Sequence, residues 1–203
     1  MVVDVGGGGL HVAGTPSRLV TWEQVAAALP SDELRCEAEV DVSSSFPSGA
    51  YVAVVEVEVE TGMVRLRRLV TVDDAGAILN PLLAAGQIHG GAAQGVAQAL
   101  LEEFVYDDDA NPLTTTFADY AVIGSGELPS FEGAFVETRS PNNPLGAKGI
   151  AESGTIGAPP AVQNAVVDAL AHLGVGHVDM PCTPERVWRA IAAAGAGDDV
   201  DPA

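Results

Sequence analysis

A mixed α/β (α+β) fold, an antiparallel hairpin-containing sheet packed with helices, is what three observations in the sequence predict. Residues 51–73 read YVAVVEVEVETGMVRLRRLVTVD, where apolar and charged residues alternate on either side of Thr61-Gly62. Alternation of period two marks a strand with one wet face. Two longer segments, beginning at Asn80-Pro81 and at Pro159-Pro160, carry apolar residues at helical spacing. An apolar content of 47% over 203 residues supplies ample material for a buried core.

The hairpin is the clearest element. Strands are expected near 50–60 and 63–73, with Val55, Val57 and Val59 turned inward. Setting Glu60 opposite Met63 places Glu58 opposite Arg65 and Glu56 opposite Arg67. Opposite charges then meet across the pair, each contributing roughly 0.2–1 kcal/mol. These charges have a structural use.

Upstream, the GGGG run at 6–9 reads as a connector, and TWEQVAAALP (21–30) as a short helix with Thr21 as N-cap. Downstream, Asn80 caps a helix whose first position is Pro81 and whose pattern runs to about Phe104. Gly86, Gly90, Gly91 and Gly95 lie inside it, each costing roughly 1 kcal/mol relative to alanine. Such glycines serve close approach, either of another helix or of a ligand. Gln87, Gln94 and Gln98 lie among them. An acidic turn at Asp107–Asp109 comes next, then the strand candidates TTTFADYAVI and FEGAFVET. The next helix starts at Pro159-Pro160, buries Val162, Ala165, Val166, Ala169 and Leu173, and stops at Gly174. A last helix has Thr183 as N-cap and Pro184 at its first position. Residues 1–45 are read as an N-terminal segment of the same unit, 46–195 as the main domain, and 196–203 as an acidic tail.

Nine basic residues stand against 28 acidic ones, a formal charge of −19. Such a surface repels phosphate backbones and anionic lipid, so neither nucleic acid nor membrane is expected as a partner. There is no apolar run long enough to span a bilayer and no basic-then-apolar leader, so a cytoplasmic protein is expected. Cys36 and Cys182 form no Cys-x-x-Cys pair, and the four histidines show no ligand spacing. No metal-ligating residues are expected.

The chemistry is concentrated in GAKGIAESGTIGAPP, residues 146–160, where Glu152 is the one carboxylate in a backbone of glycines. No Gly-x-Ser-x-Gly, His-Glu-x-x-His or phosphate-loop spacing is present. Lys148-Gly149 near a helix start suits an anion held by backbone N–H groups. By itself, Glu152 reads as a solvated loop acid, the ordinary state of an exposed glutamate, with a general base as the alternative.

Four ordered segments bear on that choice: GQIHGGAAQGVAQALLEE, ADYAV, ETRSPNNPLGAKGIAESGTIGAPPAVQNAVVDAL and MPCTPERVWRAI. Together they resemble the C-terminal portion of the large subunit of molybdenum hydroxylases, the xanthine dehydrogenase, aldehyde oxidase and aerobic carbon monoxide dehydrogenase family. The resemblance runs from about Phe46 to Arg189 and implies the fold of that family's second molybdenum-binding domain. It implies that Glu152 is the catalytic base and that Lys148, Gly149, Ile150 and Ala151 line a molybdopterin cofactor. Gln87 would hydrogen-bond that cofactor, and the turn Ala77–Leu83 around Asn80 would lie against its nucleotide end. Many members have glycine where this chain has Ala151, which would strain the loop if that position needs φ > 0. The implied reaction is oxidative hydroxylation of an aldehyde, an N-heterocycle such as a purine, or a substrate of the carbon monoxide type. The implied cofactor is molybdenum with molybdopterin cytosine dinucleotide. The implied partners are the remaining large-subunit portion and the iron–sulfur and flavin (FAD) subunits, besides the small-molecule substrate. The rival reading is a non-catalytic assembly domain that keeps the fold without a complete active site.

Overall fold

The computed structural model describes residues 2–4, 8–31, 33, 35, 37–40 and 43–196. Cys36, Gly6 and Gly7, and the tail from 197 lie outside the described residues. Packing groups the chain into two compact units, Met1–Val42 and Ser43–Ala203.

In the first unit, β1 (Val2–Asp4), β2 (Leu10–Val12) and β3 (Thr15–Val20) form an antiparallel sheet in that order. The helix α1 (Trp22–Ala28) succeeds them as expected. Thr21 accepts from the Gln24 backbone N–H while the Gln24 side chain accepts from the Thr21 N–H, a reciprocal cap.

The second unit is built on β4 (Ser48–Glu58) and β5 (Met63–Asp74), antiparallel, with β6 (Glu132–Phe135) added parallel to β5. The hairpin register differs from the expected one by two residues. Glu58 pairs with Met63 and Glu56 with Arg65, because four residues, 59–62, make the turn. Gly62 has φ +74°, and a Cβ there would lie 2.0 Å from the Pro184 carbonyl oxygen. A slip of two keeps Val55 and Val57 on their expected face. Tyr51, Ala53, Val55 and Val57 face inward, whereas Val59 falls in the turn and is exposed. Arg67 still reaches Glu56, Nε to Oε2 at 2.8 Å, while Glu58 is engaged by Thr61 Oγ1. Between Leu66 and Arg68 the ladder skips Arg67, a bulge that shifts the buried positions of β5 from Val64 and Leu66 to Leu69, Thr71 and Asp73.

Helices α2 (Pro81–Leu100) and α3 (Ser153–Leu170) cover the inner face of this sheet. The core joins Leu66 and Leu69 of β5 with Ala92, Val96, Ala99 and Leu100 of α2 and Ala158, Val162, Val166 and Leu170 of α3. The last helix, α4 (Pro184–Gly195), contributes Val187 and is capped by Thr183, as expected. The helix α2 ends four residues before Phe104, because the Cys182 N–H donates to the Ala99 carbonyl and Val105 turns to Thr114. TTTFADYAVI is not a strand. Asp119 Oδ2 accepts from the backbone N–H groups of Thr115 and Thr116 and winds the segment into a turn. FEGAFVET does contain β6.

The helix α3 begins six residues before Pro159, so both prolines lie inside it. Its first turn, Ser-Gly-Thr-Ile-Gly, has poor intrinsic helix propensity. Packing compensates: Gly157 seats the Tyr51 ring, and Gly154 seats the backbone of α2. No helix among the described residues is long and apolar enough to cross a membrane.

Candidate cofactor site

Three segments meet where the N-terminal turn of α3 crosses α2. The first is the chain leaving β5. Gly76 pairs with Ala147, the Lys148 N–H donates to the Ala75 carbonyl at 2.8 Å, and the Ala77 N–H donates to the Gly146 carbonyl at 2.9 Å. A Cβ on Gly76 would sit 2.3 Å from the Gly146 oxygen, so the two backbones touch only because the position is glycine.

Asp74 pins this junction. Its carboxylate accepts from the Thr138 N–H at 3.0 Å, from Lys148 Nζ at 2.9 Å and from the Gly76 N–H at 2.9 Å. These bonds, led by that from Thr138, hold its pKa well below the usual carboxylate range. A folded-state pKa below the unfolded one gives stability that is present above about pH 4 and is lost as pH falls through the folded value. Lys148→Met should therefore lower Tm at pH 7, by leaving a buried carboxylate without its cation. The Tm gap between wild type and Asp74→Asn should narrow below about pH 4, read by circular dichroism against pH.

The second segment is α2. Gly91 and Gly95 touch α3: a Cβ on Gly91 would lie 3.0 Å from the Thr155 nitrogen, and one on Gly95 would lie 2.8 Å from Pro159 Cδ. Thr155 Oγ1 donates to the Gly91 carbonyl at 3.3 Å. Gly86 and Gly90 meet nothing within 4 Å. The two readings of the glycines thus divide: one pair packs against a helix and the other leaves a bare face. On that bare side Gln87, Gln94 and Gln98 are exposed.

The third segment is the loop into α3. Glu152 is the N-cap residue of the helix. Its carbonyl accepts from the Ile156 N–H at 2.9 Å, while its carboxylate makes no cap bond and is exposed. A Cβ on Gly154 would lie 2.5 Å from the Ala92 nitrogen and 2.6 Å from the Ile88 oxygen, which sets the start of α3 against α2 one residue beyond Gln87. Among the described residues Ala110 is the only non-glycine with positive φ, so Ala151 sits on ordinary backbone and carries no such strain.

The site residues named from the sequence fall into two sets. Gln87, Gly149, Ala151 and Glu152 are exposed at this junction. Ala77 is buried with its N–H in use, the Asn80 side chain is engaged in capping α2 at Leu83, the Ile150 carbonyl holds the Ser153 N–H, and the Lys148 ammonium is held by Asp74. Two acids escaped the sequence reading. Asp74 is one; the other is Asp73, whose Oδ1 accepts from the Tyr51 hydroxyl at 2.9 Å. Burial pushes the Asp73 carboxyl upward against the opposing pull of Tyr51, and burial beside Asp73 pushes the Tyr51 phenol upward. Two adjacent acids closing an apolar strand were the available signal.

The family model of the molybdopterin cofactor-binding domain matches residues 2–129. The carbon monoxide dehydrogenase large chain of Hydrogenophaga pseudoflava is 42% identical over 147 residues, covering 72% of this chain and 18% of that protein. The nicotine 6-hydroxylase large subunit of Paenarthrobacter nicotinovorans is 42% identical over 145 residues, covering 71% and 18%. In fold, the chain is similar to quinoline 2-oxidoreductase from Pseudomonas putida 86, with a TM-score of 0.76 and 39% identity over 94% of this chain and 26% of that one. The chain spans about a quarter or less of the length of each of these proteins.

Proposed function

Because the chain belongs to the molybdopterin cofactor-binding domain family, as found in molybdenum hydroxylase large subunits, we propose that it is the C-terminal part of such a subunit and supplies Glu152 as the base in oxidative hydroxylation. The observation that carries this reading is the junction itself: three segments converge, and the one carboxylate presented there is left free by the helix it caps.

The residues fit the cofactor. The bare faces at Gly86, Gly90 and Gly149 leave room for a flat group to lie against backbone. The exposed carboxamide of Gln87 offers both a donor and an acceptor, as a pterin requires. Lys148 offers its backbone carbonyl, since its ammonium is held by Asp74 and its N–H donates to the Ala75 carbonyl. When bound, the molybdenum centre supplies two-electron oxidation and a water-derived oxygen. The part of this chain is to hold the group through Gln87 and the 148–151 backbone and to accept a proton at the Glu152 carboxylate.

The pterin is taken to be the cytosine dinucleotide, with its nucleotide end toward the Ala77–Leu83 turn. The remaining large-subunit portion would complete the pocket and choose among aldehyde, N-heterocycle and carbon monoxide. Iron–sulfur and FAD subunits would carry the electrons away. Leu79, Leu82, Leu83 and Ile156, all exposed beside the site, suit docking of the missing portion.

Co-expression with the remaining portion tests this. The purified complex should carry molybdenum and pterin near one per chain and release cytidine monophosphate on acid hydrolysis, while the chain alone carries none. A complex that forms without either would sink the reading.

A further inference from the structure

The Tyr51–Asp73 pair has no part in the chemistry above, yet one cavity joins it to the residue after Glu152. Asp73 is 1% exposed; Tyr51 satisfies Oδ1, and Oδ2 has no partner among the described residues. Ser153 Oγ is also buried without a partner. Both line the same cavity of about 320 Å³, together with Tyr51, Gly157, Pro160 and Asn164.

A carboxylate oxygen only accepts, and a hydroxyl both donates and accepts. A single water bound between them would meet both needs, donating to Asp73 and exchanging a bond with Ser153, and the cavity that both residues line has room for it. Such a link has something to hold. Pro159 and Pro160 lack N–H groups, so the Thr155 and Ile156 carbonyls lose their helical donors. The first turn of α3 is thus tied to the rest of its own helix by two fewer bonds. It needs lateral anchoring, and the Tyr51 ring that bonds Asp73 also packs on Gly157 of that turn.

We propose that Asp73 and Ser153 are positioning residues for Glu152, joined across this cavity by a bound water that anchors the first turn of α3 to β5. The kinetic half of this rests on Glu152 being the base; the anchoring half does not.

Amide exchange followed by mass spectrometry on the chain reads the anchor directly. Ser153→Ala should speed exchange of residues 154–157 by about tenfold or more, through easier local opening. Asp73→Asn should do the same, the double variant should be no faster than either single one, and Ser153→Thr should restore protection. In the assembled enzyme at matched cofactor loading, Ser153→Ala should lower kcat by about tenfold with KM little changed, and Ser153→Thr should recover it. Unaltered exchange in Ser153→Ala, or rate factors that multiply in the double variant, would overturn the link. Faster exchange with unchanged kcat would overturn the positioning role. Should Asp73→Asn fail to fold, the two serine variants decide alone. Glu152→Gln made separately distinguishes loss of this proposal from loss of the base.

Discussion

Glu152→Gln gives an assembled enzyme that keeps its molybdenum and pterin but turns over about 10²–10⁴-fold more slowly, the usual share of a general base. The amide preserves the shape of the side chain and removes the basic oxygen. Folding should be untouched, because the carboxylate makes no cap bond and its carbonyl, which accepts from Ile156, is unchanged. Glu127 is the control. It lies in a 3-10 turn where its carboxylate accepts from the Gly124 N–H, remote in sequence from the junction, and its glutamine variant should keep wild-type turnover. Steady-state rates normalised to metal content check both. Turnover of Glu152→Gln within a few-fold of wild type would make the acid a passenger and leave the assembly-domain reading standing.

Gly154→Ala is expected to damage the fold itself. Its methyl would sit 2.5 Å from the Ala92 nitrogen, 2.6 Å from the Ile88 oxygen and 2.8 Å from the Gly91 carbonyl carbon, all backbone of α2. Backbone in the middle of a packed helix has no rotamer with which to escape, so the two helices must part. Overpacking of this kind costs typically 1–3 kcal/mol, and with three backbone clashes the upper end, about 3 kcal/mol, is expected here. Urea unfolding should show a lower midpoint with an unchanged slope. Gly90→Ala is the informative contrast. Its methyl meets nothing within 4 Å, so the free chain should gain about 0.5–1 kcal/mol from reduced backbone entropy, while cofactor loading of the complex should fall. If both alanines behave alike, the division of the glycines into a packing pair and a bare pair is wrong.

Local features were the ones legible in the sequence. The hairpin came from its alternation, and the caps of α1, α2 and α4 from Thr21, Asn80 and Thr183 beside their first turns. The errors came from tertiary terms. Register slipped because a four-residue turn was read as two, a choice settled by Gly62 lying against Pro184, 122 residues away. The start of α3 was missed because its glycines lower helix propensity and are favoured only through Tyr51 and α2. At the site, Glu152 stood out only through its family resemblance, since a lone acid among glycines has no pattern of its own. The ion pair of Lys148 has no local signal, because its partner, Asp74, is 74 positions earlier.

The bulge at Arg67 has a bearing on how this hairpin can vary in length. Up to Leu66 the inward positions of β5 are even-numbered, and from Leu69 to Asp73 they are odd, before the strand ends at Asp74. One supernumerary residue therefore acts as a phase shifter for everything beyond it. Delete it, and Arg68, Val70 and Val72 take the inward positions while Leu69, Thr71 and Asp73 turn to water. The partner of Tyr51 would be lost, and the tether from Asp74 to Lys148 would leave from the wrong side of the strand. Insertions and deletions in this strand should be tolerated only in pairs. A single-residue change near Arg67 would act at a distance, disordering a loop more than 70 residues downstream that it never touches.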